Sequence, residues 1–456
     1  MTERETTSAA SPAGPPQCVA YATQCGKVWL TVSSLWRPIA ASDKVIDAEL
    51  EVNWDLDCPP NVGIPDTIKV FTADPAHNSS VQPQLIVTLA AHPEGYYRTN
   101  ISVGRPSLPG GWDANGGATL PGPHCLKHHA ALYLDNVILT SACLQIWPTW
   151  MYDLRRQLGR LPIGSLMIPG THNSGCYKHG DLTRRDAFQR YLLTQDRDVW
   201  TQLVHGIRYL DIRIGHYPPI PHNITNIDDL TNHAGRFWVN HDVIRINPLL
   251  AIIKDVRNFL DVARGEVVIM DFHRFPVGFE GRPSRHRRLV SILHREFGGL
   301  ILKPSRGVDG LGPTLNDIWN SGRRLIICYG DKLTVNEYEW LWPSLTQAWG
   351  NQQTPDGLFE YLNSVLMGPR KTRNTLNPLW AIMAEMTPRP LDIIFNPSGG
   401  LRQMADAVNK NLSVLFQNEW WKHTNIVATD FFLGNNLIDV SIQSNIKKSN
   451  IAQWRL

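Results

Sequence analysis

The stretch SLMIPGTHNSG, residues 165–175, predicts a short buried strand that ends in a polar turn. Mostly apolar residues lead up to Pro169 and Gly170, and His172 and Asn173 follow directly where the chain must turn. A continuous apolar run of this length is typical of a strand that is covered on both faces, as in a parallel sheet. The pattern therefore indicates a buried strand that presents a histidine and an amide at its carboxyl end.

The same pattern repeats downstream of this strand. Apolar segments alternate with helical periods such as NPLLAIIKDVRNFLDVAR and GLRQMADAVNKNLSVLFQ. The further strand segments are IRYLDIRI, FWVNHDV, EVVIMDFHR, RRLIICYGD, PLWAIMAEM and NIVATDFF, with GLILKP as a weak eighth strand. Buried strands that alternate with helices predict an α/β fold with a parallel sheet, and their number favours a closed TIM-type (β/α)8 barrel over residues 163–456.

The first third of the chain has a different hydrophobic pattern. Over residues 27–147, short alternating segments such as KVWLTVSS and DAELEVNW are separated by clusters of Pro, Gly, Asn and Asp. This spacing predicts an all-β, sandwich-like domain that precedes the barrel. Residues 148–162 predict a connecting helix, and the polar, Ser- and Thr-rich residues 1–26 predict a disordered tail.

Composition excludes several classes of function. The 44 basic residues nearly balance the 41 acidic ones, so nothing favours a nucleic-acid partner. There is no apolar run of about 18 residues, which argues against a transmembrane segment. The first residues lack the apolar centre of a signal peptide, so the chain as written starts in the cytosol.

The cysteines leave the compartment open. Five of the seven lie in the first third of the chain: Cys18, Cys25, Cys58, Cys125 and Cys143. Their clustering is compatible with disulfides formed in an oxidising, secreted or extracellular setting, and equally with buried free thiols.

Polar residues follow the predicted barrel strands where each strand ends. They are His172 and Asn173, Asp211 and Arg213, His241, Asp271, and Asp430. The carboxyl ends of barrel strands form one face, so these side chains should meet there. A lone histidine at such a place is often only a hydrogen-bonded loop residue, and an Asp and an Arg two residues apart can simply form an ion pair. Their joint occurrence at successive strand ends favours a site.

This set of residues matches the chemistry of phosphodiester cleavage. One imidazole can accept a proton from an attacking hydroxyl while a second, protonated imidazole donates to the leaving oxygen. A guanidinium can bind the phosphoryl oxygens, where negative charge accumulates. Carboxylates behind the histidines can hold their tautomer and orientation.

The segments LPIGSLMIPGTHNSG, GIRYLDIRIG, WVNHDV and EVVIMDFHRF, in this order, resemble the X-domain of phosphatidylinositol-specific phospholipases C. The resemblance covers about residues 155–456 and is closest to X-domain-containing proteins of the PLC-like phosphodiesterase superfamily that lack accessory modules. It implies that His172 is the general base for the inositol 2-hydroxyl. It also implies that His241 is the general acid for the diacylglycerol oxygen, with a cyclic inositol phosphate as product.

The resemblance also implies roles for the other candidates. Asp430 would support His172, and Asp211 would belong to the same hydrogen-bond network. The implied substrate-binding residues are Asn173, Asp271 and Lys332.

Arg213 is the residue from which we predict whether catalysis uses a metal ion. Calcium-dependent relatives gather an Asn and several acids, which Asn173, Asp211 and Asp271 match, but Arg213 stands where a second acid is needed. Because a guanidinium repels calcium and can itself neutralise phosphate, catalysis without metal or other cofactor is expected.

The expected partner is a phospholipid at a membrane surface. Three aromatic side chains, those of Trp340, Trp342 and Trp349, either seat at that surface or pack between domains. Two other functions stay open: a catalytically weak protein that binds anionic lipid, and a recruitment module that acts through the β-domain, for which no protein partner is indicated.

Overall fold

The computed structural model describes residues 25–35, 48–58, 63–113, 119–177, 190–218, 235–307, 310–368, 377–389, 391–396 and 398–453. Of the tail predicted over residues 1–26, residues 1–24, which include Cys18, lie outside the described residues, as do residues 36–47.

Two antiparallel sheets form the first part of the molecule. The strands are β1 (Lys27–Val32), β2 (Glu49–Asp55), β3 (Thr67–Phe71), β4 (Leu85–Thr88), β5 (Tyr96–Ser102), β6 (His124–Leu134) and β7 (Val137–Ile146). One sheet has the order β1-β2-β5 and the other β4-β3-β6-β7. Apolar side chains of both sheets, such as Leu30, Val52, Val70 and Ala130, belong to one buried cluster. The description of this part as a sandwich-like domain stays a prediction.

Disulfides join four of the cysteines in these sheets. Cys25 pairs with Cys58, and Cys125 pairs with Cys143 across β6 and β7. The two free cysteines of the described residues, Cys176 and Cys328, are buried in the barrel. The sequence left two alternatives open for these cysteines, disulfides or buried free thiols. The four described cysteines of this part form disulfides.

The second part is an α/β fold of the TIM-barrel type with a curled parallel sheet; no pairing between the end strands β14 and β15 is described, so the predicted closed (β/α)8 barrel is not confirmed. Its strands are β8 (Ile168–Thr171), β9 (Tyr209–His216), β10 (Phe237–His241), β11 (Ile244–Pro248), β12 (Val268–Val277), β13 (Leu325–Tyr329), β14 (Trp342–Pro343), β15 (Thr346–Ala348), β16 (Trp380–Met383) and β17 (Ile426–Thr429). The path β14-β13-β12-β9-β8-β17-β16-β15 is parallel at every step. All eight strands of this path therefore point their carboxyl ends in the same direction.

Helices connect and cover these strands. Their bounds are α1 (Trp150–Asp153), α2 (Arg155–Leu158), α3 (Val199–His205), α4 (Leu249–Val262), α5 (Pro283–Phe297), α6 (Leu315–Ser321), α7 (Lys332–Glu337), α8 (Pro355–Met367), α9 (Asp392–Phe395), α10 (Leu401–Asn418) and α11 (Leu437–Gln453). Side-chain caps begin several of them: Asp198, Thr314, Asp331 and Thr354 each accept a hydrogen bond from a backbone N–H of the first turn. No helix among the described residues is both long enough and apolar enough to cross a bilayer.

Two strand predictions are wrong. FWVNHDV is not a parallel barrel strand, because β10 pairs antiparallel with β9 and forms a hairpin with β11. GLILKP contributes only a single bridge, between Ile301 and Leu325. The strands that complete the path are β14 and β15, which are two and three residues long. Such short strands carry too few residues for a period to be recognised.

The expectation of membrane contact fails for Trp342. This side chain lies in β14, is 1% exposed, and donates from Nε1 to the carbonyl oxygen of Leu302 at 2.7 Å. Trp340 is half-buried and packs on His294, whereas Trp349 is 44% exposed. Trp342 therefore belongs to the barrel core, whereas for the exposed Trp349 contact with a membrane surface stays a prediction.

Candidate active site

Predicted site residues of three strands meet at the carboxyl edge of the parallel sheet. His172 and Asn173 follow β8, Asp211 and Arg213 lie within β9, and Asp430 follows β17. Strand β8 lies between β17 and β9, so the three strands are direct neighbours. The pairing requires close approach at Gly170, where an added Cβ would stand 2.6 Å from the ring of Tyr209. Glycine is thus needed there for packing.

His172 is held from both ring nitrogens. Its Nδ1 lies 2.8 Å from Oδ1 of Asp430, and its Nε2 lies 2.8 Å from Nη2 of Arg213. A guanidinium can only donate, so Nε2 acts as an acceptor in this contact and the ring proton sits on Nδ1, facing Asp430. In the arrangement shown, His172 is therefore a neutral imidazole with the tautomer of a general base.

Glu385 places a second carboxyl group beside the same ring. Its Oε1 lies 4.0 Å from Nε2 of His172, and the side chain is almost fully buried. Burial lowers the pKa of His172, but the negative charges of Glu385 and Asp430 outweigh it and raise that pKa. Burial raises the pKa of Glu385 to about 8. The two groups thus compete for a proton near neutral pH.

Asp211 anchors the guanidinium of Arg213. Its Oδ2 accepts from the backbone N–H of Asn173 at 3.0 Å and from Nη2 of Arg213 at 3.2 Å. Burial by itself would raise the pKa of Asp211, but the positive charge of Arg213 beside it lowers that pKa to about 2. This carboxylate therefore stays ionised and keeps Arg213 charged and oriented.

Asp271, at the same edge on β12, has a raised pKa, in contrast to Asp211. Its Oδ2 accepts from the hydroxyl of Tyr209 at 2.9 Å and from Nε2 of Gln347 at 3.0 Å. Burial and the charge of Asp211 raise the pKa of Asp271 to about 7. A large fraction of this group is consequently protonated at neutral pH.

His241 reaches the site through the hairpin. Val239 of β10 pairs with Ile214 of β9, so the antiparallel strand runs back from the rim toward the level of Arg213. Nδ1 of His241 donates to the carbonyl oxygen of Leu192 at 2.8 Å, because a carbonyl can only accept. Burial lowers the pKa of His241, and the positive charge of Arg213 lowers it further.

Three residues with a positive φ directly follow the two candidate catalytic histidines and the supporting aspartate. Asn173, Asp242 and Phe431 have φ values of 42°, 48° and 47°, and they follow His172, His241 and Asp430 respectively. Such conformations are costly for residues other than glycine and collect at functional sites.

Several buried polar atoms at this edge have no hydrogen-bond partner in the described part of the protein. They are both amide atoms of Asn173, Nε of Arg213, Oδ1 of Asp271, Nδ1 of His273 and Oε2 of Glu385. Buried polar groups are normally paired, so donors and acceptors standing together without partners indicate a place for a polar ligand. The mixture of amide, guanidinium and carboxyl groups suits a group that carries both negative charge and hydroxyls.

Lys332 is not brought into this network. It is the exposed first residue of α7, and no described hydrogen bond or ion pair joins it to the other candidates. Its role in substrate binding stays a prediction.

The sequence interpretation missed Glu385 and Gln347. Glu385 stands two residues after β16 in AIMAEM, so the strand-end rule that identified Asp271 could have identified it too. Gln347 lies in the three-residue strand β15, for which the sequence carries no recognisable signal.

One group of His, Cys, Asp and Glu residues among the described ones is compact enough to hold a metal ion, and it lies outside this site. It consists of Cys125, His129 and Cys143 on β6 and β7, whose cysteines form a disulfide. At the carboxyl edge, Asn173, Asp211 and Asp271 offer oxygens, but Arg213 contacts Asp211 directly. A resident guanidinium competes with a cation for that carboxylate.

Glu385→Gln should change how stability depends on pH. Because the pKa of Glu385 is raised to about 8 in the folded protein, its contribution to stability is complete below its ordinary pKa and is lost as pH rises through about 8. Glutamine stays neutral, so the variant should gain stability relative to wild type between pH 5 and pH 8.5. Urea unfolding at both pH values measures this. Glu360→Gln, at an exposed position of α8, serves as control; an equal response of both variants would contradict the assignment.

Comparisons with known proteins match about two thirds of the chain. No protein-family model matches it. The PI-PLC X domain-containing protein 1 of Mus musculus is 26% identical over 328 residues, which is 65% of this chain and 86% of that protein. The Homo sapiens PI-PLC X domain-containing protein 3 is 23% identical over 326 residues, covering 65% of this chain and 92% of that protein.

Among solved structures, the phosphatidylinositol-specific phospholipase C from Listeria monocytogenes is similar with 21% identity and a TM-score of 0.45, covering 66% of this chain and 97% of that one. The F249X mutant of the Staphylococcus aureus enzyme is similar with 15% identity and a TM-score of 0.49, covering 65% and 97%. The matched relatives carry the name of one domain and cover 65% of this chain, and the four quoted segments lie in order along it, so the predicted resemblance to PI-PLC X domain-containing proteins is confirmed.

Proposed function

We propose that the protein is a phosphoric diester hydrolase of the phospholipase C type that cleaves phosphatidylinositol-type lipids. The observation that carries this proposal is the placement of His172 between Asp430 and Arg213. A carboxylate behind the ring and a phosphate-binding cation in front of it are what a general base for phosphodiester cleavage requires. The similarity to PI-PLC X domain-containing proteins supports the same proposal.

In the proposed first step, His172 accepts the proton of the inositol 2-hydroxyl while that oxygen attacks phosphorus. Arg213 occupies Nε2 of His172 in the arrangement shown, so it must transfer its hydrogen bond to a phosphoryl oxygen when the substrate binds. This transfer frees the lone pair of Nε2 and neutralises phosphate charge at the same time. Asp430 then stabilises the imidazolium that forms.

His241 supplies the proton for the leaving group. The diacylglycerol oxygen leaves with the proton of Nε2, and the other product is the cyclic inositol phosphate. A bound phosphodiester anion beside the ring favours its protonated form and so opposes the effect of burial. Water can later open the cyclic ester with the two histidines in exchanged roles.

We further propose that catalysis needs no metal. Arg213 provides positive charge at the phosphate, and its ion pair with Asp211 occupies a carboxylate that a calcium site would use. Asp271 is a poor calcium ligand near neutral pH because its pKa is raised to about 7. The chemistry then rests on the side chains of this chain alone.

Contact with a membrane surface is proposed through α9. This short helix follows β16 on the side of the carboxyl edge, and Leu391, Ile394 and Phe395 are exposed, the last by 77%. Exposed large apolar side chains next to a lipid-cleaving site can enter the interface.

Vesicles that contain phosphatidylinositol and phosphatidylcholine provide the test. Release of water-soluble phosphate ester should be equal with excess chelator and with added calcium. Arg213→Lys should lower the rate by about 10²–10³-fold under both conditions, because an ammonium lacks the fixed pair of donors. Activity with calcium that disappears with chelator would show that the metal-free mechanism is wrong.

A second candidate function is lipid binding without turnover. It is favoured by the direction of the pKa shifts, because the pKa of His172 is raised and that of His241 is lowered, opposite to the order that base and acid need. Vesicle binding without ester release, in chelator and in calcium alike, would establish this function in place of hydrolysis.

A further inference from the structure

The segment after β1 lies against helix α10 of the barrel. The carbonyl oxygen of Ser34 accepts a hydrogen bond from Nη1 of Arg402 at 3.0 Å, and Oγ of Ser34 lies 3.2 Å from Nδ2 of Asn409. Ser34 and Asn409 are each only 2% exposed. The first antiparallel sheet therefore makes a buried polar contact with the barrel, distant in sequence from the site residues.

Asn409 extends this contact to the end of β17. Its Nδ2 lies 3.2 Å from the carbonyl oxygen of Asp430 and 3.4 Å from that of Phe431. Its Oδ1 accepts from Asn435, which also donates to Oγ1 of Thr429 at 3.1 Å. One amide thus joins Ser34 to the backbone of the residue that holds His172.

The end of β17 needs such support. Phe431 has a φ of 47°, a conformation that persists for a non-glycine residue only when its surroundings enforce it. The guanidinium of Arg402 lies 4.3 Å from the ring centroid of Phe431, and the backbone N–H of Phe431 donates to Thr194 at 2.8 Å. Both barrel residues that Ser34 contacts therefore also contact Phe431 or its neighbour Asp430.

Close packing makes the link sensitive to small changes. An added Cβ at Gly434 would stand 2.3 Å from Oγ of Ser34 and 2.9 Å from Nδ2 of Asn409. Real Cβ atoms do not approach so closely, so either Ser34 or Asn409 would have to move.

We infer that Ser34 is a positioning residue for the active site, which through Asn409 sets the backbone of Asp430 and so the contact between its carboxylate and Nδ1 of His172. The N-terminal sheets are then part of the apparatus that orients the general base. As far as turnover is concerned, the inference rests on the proposed hydrolysis. Misplacement of an orienting group by a fraction of an ångström already lowers the rate of an enzyme.

The test compares three variants of the full chain. Ser34→Ala removes the hydroxyl, and Gly434→Ala displaces it without deleting any hydrogen-bonding group. The matched control is Arg98→Met, which breaks another contact of the same sheet with the same helix, the ion pair between Arg98 and Asp406, together with the ion pair between Arg98 and Glu51 inside the sheet. That contact has no described connection to Asp430.

Two measurements are made on each variant. The first is the proton NMR resonance of Nδ1–H of His172, which reports the hydrogen bond to Asp430 without any turnover. The second is kcat and KM on phosphatidylinositol vesicles, and thermal unfolding confirms that each variant is folded. For Ser34→Ala and Gly434→Ala we expect a shifted or broadened resonance and kcat lowered about tenfold at unchanged KM, whereas Arg98→Met should match wild type.

Each other result has a defined meaning. An unchanged resonance in both Ser34→Ala and Gly434→Ala, or an equal effect of Arg98→Met, would overturn the positioning role even if wild type hydrolyses the lipid. If the wild type shows no turnover but the resonance shifts as expected in Ser34→Ala and Gly434→Ala, the positioning role is supported and the proposed hydrolysis is ruled out.

Discussion

His172→Ala and His241→Ala should each lower the rate of phosphatidylinositol hydrolysis by about 10²–10⁴-fold, the range that general acid–base catalysis contributes. His172 is the ring whose Nε2 accepts from Arg213 and whose Nδ1 faces Asp430, so its loss removes the base and one hydrogen-bond acceptor of Arg213. His241 is the only other described imidazole that the resemblance assigns to the reaction. KM should change little, because both rings act on protons and not on lipid binding.

A double variant sharpens this prediction. Asp430→Asn should cost activity when His172 is present, because the amide cannot hold the Nδ1–H tautomer. In a His172→Ala background the same change should cost almost nothing, since the group that Asp430 serves is gone. His77→Ala, an exposed histidine of the N-terminal sheets, is the control and should retain full activity. Independent, additive losses would contradict the assignment of Asp430 to His172.

Arg208→Met should destabilise the protein by about 3–5 kcal/mol, the cost of leaving a buried charge without its partner. Arg208 and Glu266 are both 0% exposed, and Nη2 and Nε of Arg208 lie 2.6 and 2.8 Å from Oε2 of Glu266. Arg208 also donates to the carbonyl oxygens of Leu203, Ile207 and Pro148. The change therefore leaves the carboxylate of Glu266 and several backbone carbonyl groups without their hydrogen-bond donor. Denaturant unfolding measures the resulting decrease in the free energy of unfolding.

The double variant Arg208→Met with Glu266→Leu distinguishes the cause. Burial lowers the pKa of Arg208 and raises that of Glu266, so for both groups desolvation outweighs the attraction of the partner. Removing both charges should therefore recover much of the stability that Arg208→Met loses. Arg287→Met breaks an exposed ion pair with Glu337 and should leave the unfolding transition unchanged. A loss in the double variant as large as in the single one would show that the carbonyl contacts dominate.

The strand pattern of the sequence identified four side chains that lie together in the candidate site. His172 and Asp430 follow β8 and β17, Asp211 and Arg213 lie within β9, and the parallel sheet brings them into contact because these strands are neighbours. Their catalytic roles stay predictions. The α/β fold of barrel type followed from the same alternation of apolar strands and helices. Both features depend on short segments of the chain, so they can be recognised from the sequence alone.

Other features depend on contacts between residues that are far apart in the chain. The placement of β10 in a hairpin instead of the barrel wall, and the short strands β14 and β15, were set by pairing that no local period reveals. Glu385 acquires its raised pKa only because folding buries it beside His172.

By itself, the sequence determined which strands end in reactive side chains and that these side chains suit phosphodiester chemistry. Only the tertiary structure decided that Glu385 shares their pocket, that His241 arrives on an antiparallel hairpin, and that Ser34 reaches Asp430 through Asn409. The physical reason is that hydrophobic periodicity specifies which face of a segment is buried, whereas hydrogen bonds and desolvation depend on which distant segment covers that face.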